Sequence, residues 1–504
     1  MRQIYNSRSI REMEQQACQG VGAMTDEQIM ETKSNVFCNR FRRDFPGKHR
    51  VVVFAGVGAK GCIALSIAGT LQSFGHEVIA VALRPTERTL SATQESLIEG
   101  LVADGLPLME VRSEFRPPVI NVEDIVIDGI ADEEELPLLP MYAGVVRYLN
   151  GKAAIKLALD MPTGLRSEDN TETDREQVFH AQVTYTFYGP KLSFLLPEND
   201  AFVGRWAILQ LGLECESKKD DSPYFLFGEA EMSGRFDRRA VFSHKYDYGK
   251  TMLIAGSRGM YGAAILSARA ALAVGAGHLT THVPWEAEML MHGTVPEVLV
   301  QRDESDSIFT SVAEVEDYDA IAIGPGIGRD KSSGIALQQL LMDYRRPMVL
   351  DADALNLLSL EGQGVKALPE GSIITPHVGE FERLFGPFQN HFQRIEFARE
   401  VARESHIYII LKGAYTATIT PMGEVVFNTS GNPGLATAGT GDVLTGVLLA
   451  LLGRGMSSYE SAVVGVFVHG FAADLYRSDF SEESLTASEL IRYLPRVFKS
   501  FKNW

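Results

Sequence analysis

Cysteine is scarce in this sequence. Its 504 residues contain four, Cys18, Cys38, Cys62 and Cys215, and no two of them lie close together. Neither a zinc site nor a disulfide framework fits such scattered thiols, so a reducing cytosol is the compartment that we expect.

Long apolar runs are also lacking. The most hydrophobic stretch, residues 443–452, is short and contains Gly446, so it predicts a buried core helix and not a membrane span. At the N-terminus, Arg2, Arg8, Arg11 and Glu12 interrupt any apolar segment of a secretory signal. We therefore expect no membrane partner and a cytoplasmic location.

The sequence also has fewer basic than acidic residues, 47 Lys and Arg against 65 Asp and Glu. The net charge of -18 and the pI near 5.2 argue against a nucleic-acid partner, which calls for a basic face. Any phosphorylated ligand must then be held by local groups, such as helix N-termini, a few lysines and a divalent cation. The length, with 45% hydrophobic residues, predicts two domains.

Short β-branched runs alternate with helical patterns in both halves, which predicts an α/β fold with parallel sheets covered on both faces. A polar stretch around residues 214–239 interrupts this alternation, so we expect one domain over residues 1–220 and another over 228–504. Strands are predicted at residues 51–55, 77–83, 124–128, 155–160 and 182–187, then at 251–255, 279–283, 320–323, 348–351, 372–375, 407–412, 416–420 and 424–427.

A glycine-rich loop over residues 432–442 runs directly into the apolar helix. Gly439 and Gly441, with Thr440 between them, let successive N–H groups and the positive end of the helix dipole converge on one anion. A carboxylate beside such a site, here Asp442, is typical of a base that removes the proton of a hydroxyl in phosphoryl transfer. The alternative from spacing alone is that Asp442 simply caps the helix.

Five further motifs follow predicted strands in the second half, where ligands of open parallel sheets bind. With the glycine-rich loop, and in this order, they resemble the ADP-dependent NAD(P)H-hydrate dehydratase family, a ribokinase-like group, over about residues 228–498. The resemblance implies a ribokinase-like three-layer C-terminal domain. The motifs are Gly-Ser-Arg-Gly-Met-Tyr-Gly-Ala-Ala at 256–264, Gly-Pro-Gly-Ile-Gly at 324–328, Asp-Ala-Asp-Ala-Leu-Asn at 351–356, Thr-Pro-His-Val-Gly-Glu at 375–380 and Leu-Lys-Gly-Ala-Tyr-Thr at 411–416.

The resemblance also implies residue roles. Asp442 is the expected catalytic residue, and glycine at 326 suggests close approach of the backbone to a flat ring. Glu380 is expected to help organise Mg²⁺, while Asp353 is expected to cap a helix beginning at Ala354. Substrate is expected at Ala263, Gly326, His377 and Asp442, and nucleotide at Lys412, Gly413, Ala414, Tyr415, Thr416, Gly439, Thr440 and Gly441.

The chemistry implied by the resemblance is repair of NADH and NADPH hydrates. ADP, or ATP, phosphorylates the hydroxyl of the (S)-hydrate, and phosphate then leaves to restore NAD(P)H, with AMP released when ADP is the donor. Two alternatives stay open: a ribokinase-like kinase of a small alcohol such as a vitamin precursor, and a non-catalytic sensor of adenine nucleotides. A homo-oligomer is expected.

The first half contains Gly-Val-Gly-Ala-Lys-Gly at residues 56–61, after a strand, which formally satisfies the dinucleotide fingerprint. The acid expected after the second strand is missing, since that strand ends at Leu83 and Arg84. With Asp128 and Asp-Met-Pro-Thr-Gly-Leu at residues 160–165, the half instead resembles the NAD(P)H-hydrate epimerase domain. The resemblance implies a Rossmann-like three-layer fold.

Departures from the epimerase pattern are serious. The loop that supplies a potassium-binding asparagine and a substrate-site aspartate has Ala59 and Ile63 among its aligned residues, and acidic residues 132–135 stand where a pyrophosphate should approach. Asp160 and Thr163 are retained. We expect a degenerate epimerase domain, with Asp128 and Thr163 as the remaining potassium positions, or else a structural or oligomerising module.

Overall fold

The computed structural model describes residues 1–17, 24–112, 116–212, 222–236, 238–360 and 364–501. Two compact units divide the chain: residues Ile4–Ser222, and Pro223–Trp504 together with Met1–Gln3. Cys18, Cys215 and part of the polar stretch on which the boundary expectation rests, residues 214–221 and 237, lie outside the described residues.

The unit Ile4–Ser222 contains a seven-stranded sheet in the order β4-β3-β2-β5-β6-β7-β8, and every neighbouring pair is parallel. Its central strands are buried apolar runs, as expected where helices cover both faces. The strands are β2 (Arg50–Ala55), β3 (Glu77–Leu83), β4 (Leu108–Val111), β5 (Ile125–Gly129), β6 (Ile155–Leu159), β7 (Val183–Phe187) and β8 (Arg205–Leu209).

Helices in this unit start at recognisable caps. Helix α2 begins after Thr25, whose hydroxyl and the side chain of Gln28 form a reciprocal capping box. Two buried clusters lie on opposite faces of the sheet, one including Phe37 and Leu71 and the other Tyr142 and Leu149. The helices are α1 (Ser7–Ala17), α2 (Asp26–Asp44), α3 (Ala59–Ser73), α4 (Ala92–Ala103), α5 (Pro140–Asn150) and α6 (Asp200–Val203).

The second unit contains an eleven-stranded mixed sheet in the order β1-β9-β18-β17-β16-β15-β14-β13-β10-β11-β12. Strands β10 to β16 pair in parallel with one another, β17 is antiparallel to β16, and β17 and β18 form the antiparallel hairpin that the sequence predicts. The strands are β1 (Arg2–Gln3), β9 (Tyr224–Phe227), β10 (Lys250–Ile254), β11 (His278–Val283), β12 (Leu299–Arg302), β13 (Ala320–Ile323), β14 (Met348–Leu350), β15 (Ile373–Ile374), β16 (Tyr408–Leu411), β17 (Ala417–Ile419) and β18 (Val425–Asn428).

Close packing of α14 against α8 forms the middle of the larger core. A Cβ atom at Gly446 would lie 2.1 Å from the carbonyl oxygen of Ser267, so only glycine allows this approach. The helices are α7 (Glu229–Met232), α8 (Tyr261–Val274), α9 (Glu288–Thr294), α10 (Lys331–Asp343), α11 (Asp353–Leu360), α12 (Val378–Phe385), α13 (His391–Ser405), α14 (Thr440–Gly453), α15 (Ser458–Asp479) and α16 (Ala487–Phe501).

Each strand bound predicted from the sequence lies within one residue of the observed one, and both ends of β3 and β13 coincide with prediction. Strands β1, β4, β8, β9 and β12 were not anticipated. Four of these lie at sheet edges, where the buried apolar pattern that predicts a strand is weakest. Within the described ranges, no helix combines the length and the apolar character that crossing a bilayer needs.

Candidate active site

The motifs of the second unit meet at one edge of its sheet. Strands β10, β13, β14, β15 and β16 are consecutive parallel neighbours, so their carboxyl ends share an edge. Residues 256–264, 324–328, 351–356, 375–380 and 411–416 follow these strands directly. The five motifs therefore share one edge of this sheet.

The glycine-rich loop ends at the start of α14. Gly439 has φ of 89°, the left-handed conformation that favours glycine, and immediately precedes the helix. Within the described part of the chain, the N–H groups of Gly439, Gly441 and Asp442 have no hydrogen-bond acceptor. The helix start thus presents unpaired donors and its positive dipole end, which is the arrangement that binds a phosphoryl group.

Lys412 and Asp351 form an ion pair beside this helix start. Lys412 Nζ donates to Asp351 Oδ1 at 2.9 Å, and the hydroxyl of Thr445 donates to Asp351 Oδ2 at 2.8 Å. Gly441 lies next to the pair, because a Cβ atom there would be 3.6 Å from Lys412 Nζ. The residues expected to bind nucleotide from two distant segments are therefore adjacent in the fold.

Asp442 has an unusual electrostatic environment. Burial, together with repulsion from Asp351 and Asp353, raises the pKa of the Asp442 carboxyl to about 7, against the opposing attraction of Lys412. Burial also works against the charged Lys412, but attraction to Asp351, Glu380 and Asp442 outweighs it and raises the pKa of that ammonium. A carboxyl poised near neutrality is suited to accept and return a proton.

His377 and Glu380 are tied to the start of α12. His377 Nδ1 accepts from the N–H groups of Gly379 at 3.0 Å and Glu380 at 3.3 Å, while the N–H of His377 donates to Glu380 Oε2 at 2.8 Å. Because Nδ1 is an acceptor, the neutral ring carries its proton on Nε2. The His377 side chain is 54% exposed, and its Nε2 lies 3.5 Å from Glu380 Oε1, so that N–H faces the carboxylate at the rim of the site.

Gly326 and Ala263 are in contact, and packing within the chain by itself requires glycine at this position. Gly326 has φ of 63°, and a Cβ atom there would lie 3.2 Å from the Cβ of Ala263 and 2.9 Å from the carbonyl oxygen of Met260. The glycine therefore allows the loop to pack on α8 of its own chain. Its positive φ adds a second reason, since other residues rarely adopt it.

The cap expected at Asp353 is not observed. Helix α11 begins at Asp353 itself, and its carboxylate accepts from the N–H of Gly328 at 3.0 Å and from the side-chain amide of Asn356 at 3.2 Å. Asp353 thus fastens the glycine loop after β13 to α11. Ala352 precedes it with φ of 50°, a conformation that is costly for alanine.

The segment after β16 offers open backbone. Gly413 is exposed and nothing lies within 4 Å of the position that its Cβ would occupy. Thr416 closes the turn by donating to the carbonyl oxygen of Gly413 at 3.0 Å. Ala414 is exposed as well, so the backbone at Gly413 and Ala414 is accessible to a ligand.

Two residues that the sequence did not single out position the glycine-rich loop. His469 Nε2 donates to the carbonyl oxygen of Thr440 at 2.9 Å, and burial lowers the pKa of this imidazole to about 4, so it is neutral. Asp474 accepts from the N–H of Gly431 at 2.7 Å and from the side chain of Asn432 at 2.9 Å. Both residues project from α15. The local sequence of this buried helix contains no pattern that predicts contacts with the glycine-rich loop.

The residues at this edge can bind a magnesium ion only together with the phosphate oxygens of a nucleotide. Among the described residues, no three His, Cys, Asp or Glu side chains are grouped to hold a metal. Magnesium commonly binds through one or two carboxylates, water and substrate phosphates, so such a group is not required. Glu380 is 6% exposed and lies 3.8 Å from Lys412 Nζ, which puts its charge beside the anion site.

The corresponding edge of the first unit has a different chemistry. Asp128 is the second-last residue of β5 and Thr163 follows β6, and the hydroxyl of Thr163 donates to Asp128 Oδ1 at 2.6 Å. Lys60, from the first turn of α3, lies against both side chains, with its Nζ 3.4 Å from Asp128 Oδ2 and 3.2 Å from Thr163 Oγ1. The residues expected to hold potassium are therefore adjacent, but they do not fit it, because they are bonded to each other and an ammonium group already contacts both.

Asp160 is also engaged. It has φ of 59°, and its Oδ1 accepts from Lys191 Nζ at 3.1 Å, the N–H of Phe187 at 3.1 Å and the hydroxyl of Thr186 at 2.8 Å. Burial works against its charge, but Lys191, Lys33 and these hydrogen bonds outweigh it and lower the pKa of this carboxyl. Stabilisation of the anion makes Asp160 a weaker base.

Two N–H groups of the glycine motif after β2 are engaged by side chains of the same unit. The N–H of Val57 donates to the hydroxyl of Tyr142 at 2.9 Å, and the N–H of Gly58 donates to Gln94 Oε1 at 3.3 Å. A Cβ atom at Gly56 would lie 1.8 Å from the carbonyl oxygen of Ile130. The glycines are thus explained by close packing within the chain.

The fold and the site define a class of protein: a ribokinase-like phosphoryl-transfer unit joined to a Rossmann-like unit. Family models agree, since residues 251–496 match that of NAD(P)H-hydrate dehydratase and residues 26–193 match that of the YjeF-related protein N-terminus. The chain belongs to the family of bifunctional NAD(P)H-hydrate repair enzymes.

Curated relatives with that name match almost the whole chain. The enzyme of Moorella thermoacetica is 31% identical and covers 94% of this chain and 92% of its own. That of Escherichia coli is 27% identical over 98% of this chain and 93% of its own. A solved ADP/ATP-dependent NAD(P)H-hydrate dehydratase from Bacillus subtilis, co-crystallised with ATP and Mg²⁺, is 33% identical with a TM-score of 0.50, covering 55% of this chain and 99% of that one.

Proposed function

We propose that the unit formed by residues Pro223–Trp504 dehydrates the (S)-hydrates of NADH and NADPH with ADP, or ATP, as the phosphoryl donor. One observation carries the proposal: Asp442, with a pKa raised to about 7, stands at the helix start that offers unpaired N–H groups. The family to which the chain belongs, and the dehydratase name of the solved relative, supply the substrate.

The donor phosphates would bind at Gly439, Thr440 and Gly441 and along residues 412–416. Lys412 lies beside that place with its charge retained, so it can neutralise charge on the transferred group. Magnesium, carried by the phosphates, would neutralise further charge there, with Glu380 as the neighbouring protein carboxylate.

Asp442 would remove the proton of the hydrate's hydroxyl as its oxygen attacks the terminal phosphorus of ADP, which releases AMP. The carbon–oxygen bond then breaks. Its electron pair leaves with the phosphate, and loss of a proton from the adjacent ring carbon restores the double bond. His377, with its half-exposed imidazole, and the Ala263 and Gly326 surface would hold the nicotinamide portion.

For the other unit we propose an epimerase fold whose activity is lost or strongly reduced. The engaged Asp160 and the ammonium of Lys60, which contacts both Asp128 and Thr163, support this view. We further propose a cytoplasmic, homo-oligomeric protein, in keeping with its thiol content and acidic charge.

Incubation of the protein with NADH hydrate, Mg²⁺ and either ADP or ATP tests the main proposal. Recovery of the dihydronicotinamide absorbance, with stoichiometric AMP and phosphate from ADP, is the expected result. Phosphorylation of an unrelated alcohol without that recovery would indicate a small-molecule kinase. Nucleotide binding without any turnover would indicate a sensor.

A further inference from the structure

The ammonium group of Lys60 sits in a cage of oxygen atoms. Its Nζ donates to the carbonyl oxygens of Met161 at 2.7 Å and Ala131 at 3.2 Å. The Thr163 hydroxyl at 3.2 Å and Asp128 Oδ2 at 3.4 Å complete the set. These oxygens come from the ends of β5 and β6 and the loops that follow them, so the cage belongs to the framework of the sheet edge.

The cage needs a positive charge. The Asp128 side chain is fully buried and that of Lys60 is 4% exposed, and a buried carboxylate without a counterion is strongly destabilising. Four acceptors surround one ammonium that has three hydrogens, so the donors of Lys60 are saturated. Lys60 therefore has no N–H left to donate to a ligand or a reacting group.

An alkylammonium group carries the same single charge as a potassium ion and has a similar size. Carbonyl, hydroxyl and carboxylate oxygens are also the ligands of a hard monovalent cation. We propose that the Lys60 ammonium is a built-in replacement for a bound monovalent cation, so that this unit holds its sheet edge together without potassium. The inference does not depend on dehydration by the other unit.

The position of Lys60 in the sequence allows its side chain to reach the oxygen cage. Lys60 lies in the first turn of α3, directly after the loop that follows β2, and β2 is the neighbour of β5. A lysine at this point can reach across the carboxyl ends of the strands with its four-carbon stem. Because the tether removes the entropy cost of capturing a free ion, the cage is filled at any potassium concentration.

The test compares two substitutions in the full-length protein. Lys60→Asn removes the ammonium and leaves room for an ion, whereas Lys60→Met removes the charge and keeps the volume. In choline chloride we expect both to lower the calorimetric unfolding temperature of this unit by roughly 6 to 20 °C. In potassium chloride of equal ionic strength, Lys60→Asn alone should recover at least half of the loss.

Two further measurements localise the effect. Hydrogen exchange of peptides spanning residues 125–131 should slow in potassium for Lys60→Asn and not for the wild type. Thallium-205 resonance should detect one Tl⁺ bound by Lys60→Asn, and none by Lys60→Asn combined with Asp128→Asn. Lys156→Asn is the matched control, since Lys156 is another buried lysine of this unit whose Nζ donates to the Lys152 carbonyl oxygen at 2.8 Å.

If Lys60→Asn does not fold, Tl⁺ binding and the unfolding temperature of the wild-type protein still test the proposal. Wild-type protein that binds Tl⁺ at this unit, or unfolds at a higher temperature in potassium than in choline, overturns the proposal. A folded Lys60→Asn variant that ignores potassium also overturns it. Potassium dependence confined to Lys60→Asn supports it.

Discussion

Replacement of Asp442 by Asn should abolish dehydration and leave nucleotide binding nearly unchanged. The amide keeps the shape of the side chain at the helix start, but it cannot take a proton from the hydroxyl. Loss of a general base usually lowers the rate by about 100-fold to 10,000-fold. Single-turnover recovery of dihydronicotinamide absorbance measures that loss, and calorimetric titration with ADP measures binding.

The pH dependence follows from the raised pKa of Asp442. Since the ionised carboxylate is the base, wild-type kcat/KM should rise with pH through an inflection near 7. His469 cannot produce that inflection, because burial lowers its pKa to about 4. Histidine side chains as a class titrate near neutrality, so His377→Asn is the control. Asparagine also caps helices, and the inflection should persist in that variant.

The raised pKa of Asp442 also predicts the direction in which the folding stability of this unit changes with pH. Its pKa is raised in the fold from 3.8 to about 7, so it does not affect stability below pH 4, and it lowers stability progressively as pH rises from about 4 to about 7. A rise of this size corresponds to about 4 kcal/mol at most, and partial hydration of the site reduces the realised cost. Asp442→Asn should therefore raise the unfolding temperature at pH 8 by about 2 to 8 °C, and not at pH 4.

Asp330→Asn is the matched control for the chemical change. Asp330 caps α10 in the same unit through the N–H of Ser332, and asparagine caps equally well, so neither activity nor stability should change. Near-normal turnover by Asp442→Asn would refute its role as base. An inflection near pH 7 that disappears in His377→Asn would move the titrating group to that histidine.

Three further predictions address neighbouring residues and the first unit. Gly413→Val should weaken ADP binding about tenfold or more while the fold persists, because the Cβ position is open; Gly293→Val, also open, is the control in the same titration. Lys412→Met should move the inflection of kcat/KM upward by about one unit, since the ammonium lowers the pKa of Asp442, and an unmoved profile would contradict this coupling. Full-length Asp442→Asn, which cannot consume either hydrate, should not accelerate interconversion of the R and S epimers separated by chromatography, and clear acceleration would show an active epimerase unit.

Strand positions could be predicted from the sequence because buried parallel strands are continuous apolar runs. The ends of β3 and β13 coincide with prediction for this reason, whereas the edge strands β4 and β12 lack the pattern. Strand β1 has only two residues and pairs with β9, more than 200 positions away, so no local signal predicts it.

The site could be predicted only where a motif carries its own geometry. The turn at Gly439 is encoded locally, and so is the capping of α12 by His377. The dinucleotide fingerprint misleads for the opposite reason. The N–H groups of Val57 and Gly58 donate to Tyr142 and Gln94, which lie 85 and 36 positions away in the chain. Motifs specify backbone shape, while distant side chains decide whether that shape remains open.

Both units place a lysine against a carboxylate at the end of a parallel strand, and the difference between them lies in what the ammonium has left to donate. Lys60 is 4% exposed and has four oxygens within 3.4 Å, so its hydrogens are taken and its charge serves the fold. The Lys412 side chain is 24% exposed, with one acceptor at 2.9 Å within the described residues and Glu380 Oε2 at 3.8 Å. The ammonium of Lys412 therefore has hydrogens left to donate to a phosphoryl oxygen at the start of α14. The same pair of residue types can therefore stabilise a fold in one unit and bind an anion in the other, and the degree of enclosure separates the two roles.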